Sequence, residues 1–218
     1  MRVVAVVVAG SERALTPVGR VPMVVRAVQA LAACTQVELV TVATVDELRP
    51  QVEAACAGAP VDMRALSGTR AHTLQRRGAT GSDDLVTAGG GDVVLLHDAC
   101  RPMAPGELAT AVVEAVRDGH GMAVPVLPLT DTVKSVDEHG VVTGTPDRAG
   151  LRVLQTPIAV QAGLWGGEDC ADPLALVRRR TAEGHRVHAV PGHPAAFAVR
   201  SAWDLEVAEL IAGGRIRL

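Results

Sequence analysis

Apolar residues along this chain fall into short, nearly unbroken runs, separated by longer stretches in which apolar positions recur at helical spacing. The runs occupy residues 2–8, 37–43, 61–66, 92–97 and 121–126. A strand with one wet face would alternate, so unbroken aliphatic runs predict strands covered on both faces, as in a parallel sheet. Between them, residues 22–33 open with Pro at a first-turn position and residues 47–57 follow Asp46 as a candidate cap. Residues 105–118 carry Leu108, Val112, Ala115 and Val116 along one helical face. Strand and helix in repetition predict a doubly wound α/β fold, with a mostly parallel, Rossmann-like sheet and ligand loops at the carboxyl ends of its strands.

The rhythm changes after Leu129. Residues 131–136 and 141–144 flank Asp137-Glu138-His139-Gly140, a turn sequence that predicts a β-hairpin arm projecting from the sheet. Beyond it the pattern predicts a helix near residues 172–183, strands at 187–190 and 196–200, and a closing helix over 202–212. No repeat, low-complexity tract or linker interrupts the 218 residues, which read as one domain with an arm at about 129–156.

Composition narrows the function. With no Tyr, one Phe and two Trp, the core must be aliphatic, and the rings that stack on single-stranded nucleic acid are lacking. A formal net charge of -3 is not that of a general nucleic-acid binder, so no nucleic-acid partner is expected, and an anionic ligand must meet a local cluster of positive side chains. The apolar runs are far shorter than the ~20 residues of a membrane span, and no signal peptide is evident. A cytoplasmic location without a membrane partner is expected. Cys34, Cys56, Cys100 and Cys170 lack CxxC or Cys/His spacing, which argues against a zinc site and a disulfide framework.

Three stretches carry candidate chemistry. The first strand empties into Ala9-Gly10-Ser11-Glu12-Arg13, where small residues let main-chain N–H groups approach a phosphate and Arg13 neutralises it; an ordinary strand-to-helix turn reads the same way. Neither GxGxxG nor GxxxxGK[ST] is present, which excludes a dinucleotide fingerprint and a Walker loop. In His97-Asp98-Ala99-Cys100-Arg101-Pro102, an acid and a base emerge together at the end of a buried strand. Asp98 can hold Mg²⁺ or a ribose hydroxyl and Arg101 a phosphate, or the two can pair in a turn. Along Asp131-Thr132-Val133-Lys134, strand alternation would put Thr132 and Lys134 on one face.

These stretches, with Asp147-Arg148-Ala149-Gly150-Leu151 through Gln155-Thr156-Pro157, stand in an order and spacing that resembles the 2-C-methyl-D-erythritol 4-phosphate cytidylyltransferase family. The match is most specific over residues 92–157 and looser elsewhere. The resemblance implies the fold of nucleotide-sugar pyrophosphorylases, with a hairpin arm exchanged across a homodimer. It also implies an enzyme that joins CTP to the sugar phosphate, or to a related polyol phosphate, with Mg²⁺ and release of pyrophosphate, in the non-mevalonate route to isoprenoids. On that resemblance Ala9, Gly10 and Ser11 form the nucleotide loop and Arg13 binds the triphosphate. Gly68 and Thr73 fall in the stretch that reads cytosine, Asp98 and Ala99 meet the ribose and the metal, and Asp98, Arg101, Thr132, Arg148 and Thr156 hold the acceptor phosphate.

The chain departs from the family at several points. Val7-Val8-Ala9-Gly10 replaces Pro-Ala-Ala-Gly, a loop Gly is missing, and the GGxxR stretch is shortened to Ser67-Gly68-Thr69-Arg70. Where a Lys follows Pro in the family, Val21-Pro22-Met23 offers Met23, or else several residues are deleted and Gly19-Arg20-Val21-Pro22-Met23 matches a later segment; either register leaves no Lys, and Arg20 is the expected substitute cation. A second family Lys becomes Ala198. If residues 196–200 form a strand, Arg200 shares the face of Ala198 and is expected to meet the acceptor phosphate in its place. A second reading follows from the altered loop: a degenerate paralogue that keeps fold and dimer and serves as a binding or partner protein.

Overall fold

A computed structural model describes residues 1–59, 91–165 and 172–218, together with the backbone of two short strands, Asp62–Met63 and Leu74–Gln75. The rest of the run at 61–66, the base-reading candidates Gly68 and Thr73, and Cys170 lie outside the described residues.

The main elements, in chain order, are β1 (Val3–Ala9), α1 (Met23–Ala32), β2 (Leu39–Thr44), α2 (Arg49–Cys56), β3 (Val93–Asp98), α3 (Gly106–Arg117) and β4 (Met122–Pro128). The arm strands β5 (Ser135–Val136) and β6 (Val142–Gly144) come next. They are followed by β7 (Arg152–Leu154), β8 (Ile158–Gln161), α4 (Pro173–Ala182), β9 (His188–Pro191) and α5 (Ala202–Ala212).

Among the described residues the central sheet has seven strands. β1 pairs in parallel with β2 on one edge and β3 on the other, and β9 pairs in parallel with β4. Only β7 and β8 run against the rest. Both lie along the same edge of β4, because Ala123 and Val126 face β8 and β7 on that side and β9 on the other. Between β7 and β8 the chain bulges through Gln155, Thr156 and Pro157, with a cis Thr156-Pro157 bond, so that β8 slips between β4 and β3.

Every residue of β1 is buried, as its unbroken Val run requires. Its odd positions, Val3, Ala5 and Val7, pack with Val28 and Leu31 of α1, Val52 of α2 and Val112 of α3. Val6 and Val8 join Leu96, Ile158 and Leu176 of α4 on the opposite face. Each buried Val contributes about 1.5–3 kcal/mol, so this strand anchors both layers. Small Ala123 and Ala159 lie on the α3 side and let that helix approach β4 and β8. The chain leaves β1 toward β2 and leaves β3 toward β4, on opposite sides, so their carboxyl ends meet at a topological switch point. Among the described residues no helix is long and apolar enough to cross a membrane.

Three local expectations are corrected. Residues 196–200 do not form a strand: Pro194–Ala196 is a 3-10 turn, and the segment after it makes one ladder-like bond, Val199 N–H to the Cys100 carbonyl at 2.7 Å. The other main-chain groups a ladder would use are taken by side chains, the Ala196 carbonyl by Arg101, the Arg200 carbonyl by Arg13 and the Arg200 N–H by Asp204. Residues 131–134 precede the arm strand rather than belong to it, so alternation does not pair Thr132 with Lys134; Lys134 Nζ instead donates to Thr145 Oγ1 at 2.6 Å. Asp46 does not cap α2 but opens a 3-10 turn and pairs with Arg49.

Candidate active site

The ends of β1 and β3 are locked in register. Val8 lies opposite Asp98, the Ala99 N–H donates to the Val8 carbonyl at 2.9 Å, and Thr44 Oγ1 donates to the Ala9 carbonyl at 2.9 Å. Ala99 is thereby fully buried, while Gly10 and Ser11 leave the sheet into solvent and the chain turns through a 3-10 helix, Glu12–Leu15, that carries Arg13 outward.

Two cavities open here. The smaller, about 470 Å³, is lined by Gly10, Arg13, Asp98, Cys100, Asp172 and Arg200. The larger, about 780 Å³, runs from Arg13 and Arg200 past Glu12, Thr16 and Met23 to Ser201 at the start of α5. Ser11, Arg13 and Arg200 belong to both and form the junction. Arg13 Nη1 donates to the Arg200 carbonyl. The segment carrying that carbonyl is fixed by Asp204, whose carboxylate accepts from the N–H groups of Arg200 (3.0 Å) and Ser201 (2.8 Å) while Ser201 Oγ accepts from Asp204 N–H. The Ser201 hydroxyl and the Arg200 N–H hold the Asp204 carboxyl below its usual range.

Asp98 sits in the smaller cavity with one oxygen committed, Oδ1 accepting the Cys100 N–H at 2.9 Å. Its main-chain N–H donates to Thr156 Oγ1 at 3.1 Å, and Thr156 Oγ1 lies 3.0 Å from His97 Nδ1. Thr156 Oγ1 thereby bridges the Asp98 N–H and the His97 ring. Burial lowers the His97 pKa to about 4, the neighbouring Asp98 charge working weakly the other way. His97 is therefore neutral at physiological pH. Burial, reinforced by Asp98, pushes the Cys100 thiol up to about 11, so the cavity holds a thiol rather than a thiolate.

Arg101 turns inward. It is buried, with Nη1 donating to the Ala196 carbonyl at 2.6 Å and Nη2 to the Leu154 carbonyl at 3.3 Å. It ties the end of β3 to the root of the arm and to the segment ahead of α5. Thr156 is also fully buried. Arg148 is exposed at the arm's root, donating to the carbonyls of Thr130 at 2.9 Å and Asp131 at 3.3 Å, and Thr132 is exposed beside it. Neither lines either of these two cavities. Arg20 occupies the second position of a two-residue hairpin turn between Val18 and Val21, with φ +66° following Gly19 at φ +55°, a type I′ geometry. The back of that hairpin is held by Glu209 and Arg26, and Arg20 is not among the residues lining either cavity.

Asp98, Arg13, Gly10, Ser11 and Arg200 thus converge, whereas Arg20, Thr132 and Arg148 stand apart. Two polar residues of the smaller cavity were not among the expected site residues, Cys100 and Asp172. Asp172 is the N-cap of α4, its Oδ1 accepting from Leu174 N–H at 2.9 Å and its Oδ2 meeting Arg178 at 3.0 Å. The two carboxylates in the smaller cavity, Asp98 and Asp172, offer the hard oxygen donors that Mg²⁺ prefers, and no group of three or more His, Cys, Asp or Glu among the described residues forms a complete cage. One or two carboxylates suffice for Mg²⁺, which completes its shell with phosphate oxygens and water.

A switch-point cavity with two arginines, two carboxylates and a small-residue loop has the groups that a nucleotidyltransferase needs for its phosphates and metal. The family profile of 2-C-methyl-D-erythritol 4-phosphate cytidylyltransferase matches residues 5–213. A protein of that name from Saccharopolyspora erythraea is 37% identical over 93% of this chain and 92% of its own, and another from Nocardia farcinica is 39% identical over 95% and 89%. The crystal structure of the Thermus thermophilus enzyme of that name superposes with a TM-score of 0.67 at 25% identity, covering 98% of this chain and 100% of its own. The chain belongs to the 2-C-methyl-D-erythritol 4-phosphate cytidylyltransferase family.

Proposed function

We propose that this protein transfers CMP from CTP to 2-C-methyl-D-erythritol 4-phosphate and releases pyrophosphate. The observation that carries the reading is the convergence of Asp98, Arg13 and the Gly10-Ser11 loop on one cavity, in a chain that belongs to this family over nearly its whole length. The acceptor is already an anion at neutral pH, so no general base is required. One of its phosphate oxygens forms a bond to the α-phosphorus, the bond to the bridging oxygen of the leaving pyrophosphate breaks, and that oxygen keeps the electron pair. Several negative charges crowd together, and their positioning and neutralisation supply the catalysis. Main-chain N–H groups of Ala9, Gly10 and Ser11 approach the phosphates, and Arg13 neutralises them from the junction. Asp98 and Asp172 would hold Mg²⁺, which supplies charge neutralisation on the phosphates when bound. With its thiol protonated, Cys100 takes no part as a nucleophile.

Arg101 and Thr156 serve the acceptor site through what they hold, the position of Asp98 and of residues 196–200. The arm acts at a distance. It carries exposed Val136 and Val142, 55% and 60% accessible, and in a homodimer it would cover these on the partner and lend Arg148 and Thr132 to the neighbouring acceptor site. The whole chain then works as one domain with an arm, in the cytoplasm. The second reading, a binding protein without turnover, gains no support from the comparisons. The test is thermal: CTP with Mg²⁺ should raise the melting temperature more than ATP or GTP at equal concentration. Equal shifts for all three, or none, would refute cytidine selectivity.

A further inference from the structure

We propose, resting on the nucleotide-transfer reading above, that Arg200 is a ligand of the β- and γ-phosphates of the nucleotide in the 780 Å³ cavity, and so of the leaving pyrophosphate, rather than of the acceptor phosphate.

The smaller cavity carries the carboxylates Asp98 and Asp172, which would hold Mg²⁺, so the transfer reading puts the α-phosphate and the attacking oxygen there. A triphosphate whose α-phosphate lies there has to run its terminal phosphates elsewhere. Past Ser11, Arg13 and Arg200 the space continues into the larger cavity, where the lining residues include one carboxylate, Glu12. Arg200 therefore stands on the path of the outgoing phosphates.

Its partnership with Arg13 points the same way. Arg13 is held by the main-chain carbonyl of residue 200, so one short segment positions both guanidinium groups. Two exposed like charges gathered at one junction repel each other until an anion comes between them. As the bond to the α-phosphorus breaks, the electron pair moves onto the bridging oxygen at this junction, so a cation there meets charge as it develops.

Sequence composition explains why the cation is an arginine. The chain contains a single lysine, Lys134, and it lies in the arm. Met23 is one of the apolar residues lining the larger cavity, and no lysine lines either cavity. The fork of Arg200 can take two phosphate oxygens at once.

The test separates ligands by which phosphates they carry. Arg200→Ala and Arg200→Gln both keep the main-chain carbonyl that holds Arg13, so their effects belong to the lost guanidinium. Calorimetric titration in Mg²⁺ with CTP, CMP, pyrophosphate and methylerythritol phosphate should show CTP and pyrophosphate weakened about tenfold or more in both variants. CMP and the sugar phosphate should change by less than about twofold, and Arg200→Lys should recover part of the loss. Equal weakening of CTP and CMP, weakening of the sugar phosphate alone, or unchanged CTP and pyrophosphate would overturn the assignment. Unaltered protein that binds no nucleotide would refute the transferase reading itself, before any variant is compared. Melting temperatures of the variants matching the parent would exclude misfolding as the cause.

Discussion

Thr156 Oγ1 and His97 Nδ1 lie 3.0 Å apart in the buried seam between β8 and β3, and the same hydroxyl accepts the main-chain N–H of Asp98 at 3.1 Å. One side chain thereby sets the exit of the strand that delivers the central carboxylate. Thr156→Val keeps the shape but orphans the Asp98 N–H and the His97 ring nitrogen, and is expected to cost about 1–3 kcal/mol. Because Asp98 is positioned rather than removed, kcat should fall more than KM for CTP rises. Thr156→Ser, which keeps the hydroxyl, should restore most of both. Equal defects in the Ser and Val variants would refute the positioning role.

The same buried imidazole makes stability depend on pH. His97 has a pKa of about 4 in the folded chain against an ordinary 6.5, so the unfolded chain takes up a proton that the folded chain refuses. Its contribution is complete above pH 6.5 and is lost as pH falls toward 4, to the extent of about 3 kcal/mol. Melting temperature should therefore drop over that window. His97→Asn, whose amide can still hydrogen-bond Thr156, should show a shallower drop; an identical profile would contradict the assignment.

Arg101 joins three segments by donating to the Ala196 and Leu154 carbonyls. A lysine has one ammonium and cannot reproduce the fork, so Arg101→Lys should leave a buried carbonyl unpaired and lower stability by about 1–3 kcal/mol. Chemical denaturation would measure this directly. A variant as stable as the parent, with a defect confined to sugar-phosphate binding, would instead make Arg101 a direct ligand.

The arm's exposed valines give a prediction about assembly. Val142→Asp places a charge where two arms are proposed to meet, and light scattering at micromolar concentration should shift from dimer to monomer. Turnover should fall with it, since Arg148 would no longer reach a neighbouring site. A parent protein that is monomeric would remove Arg148 and Thr132 from the acceptor site.

Much of this architecture was legible because burial on both faces writes itself into the sequence. The Val run of β1 and the Val-Leu run of β3 could belong only to interior strands, and the loops that follow them are where such sheets bind ligands. The segment carrying Arg200 was not legible as non-strand. Its apolar pattern is strand-like, but its main-chain groups are claimed by Arg13, Arg101 and Asp204, two of them distant in sequence. Local pattern carries no trace of such claims. For the same reason Arg101 read as a ligand from its place after Asp98, and only the tertiary packing turned it toward two carbonyls. Asp172 read as the start of a helix and as part of Ala171-Asp172-Pro173, where the family has Thr-Asp-Asp; that it also lines the cavity of Asp98 is a product of the sheet's winding.

The central claim is that Asp98 and the arginine junction carry out nucleotidyl transfer. Pyrophosphate release measured with purified protein, Mg²⁺, methylerythritol phosphate and each nucleoside triphosphate in turn tests it most directly. The account predicts release with CTP well above that with ATP, GTP or UTP, dependent on the sugar phosphate and on Mg²⁺, and reduced at least about a hundredfold by Asp98→Ala. Absence of pyrophosphate from every nucleotide, or release that survives Asp98→Ala undiminished, would contradict it.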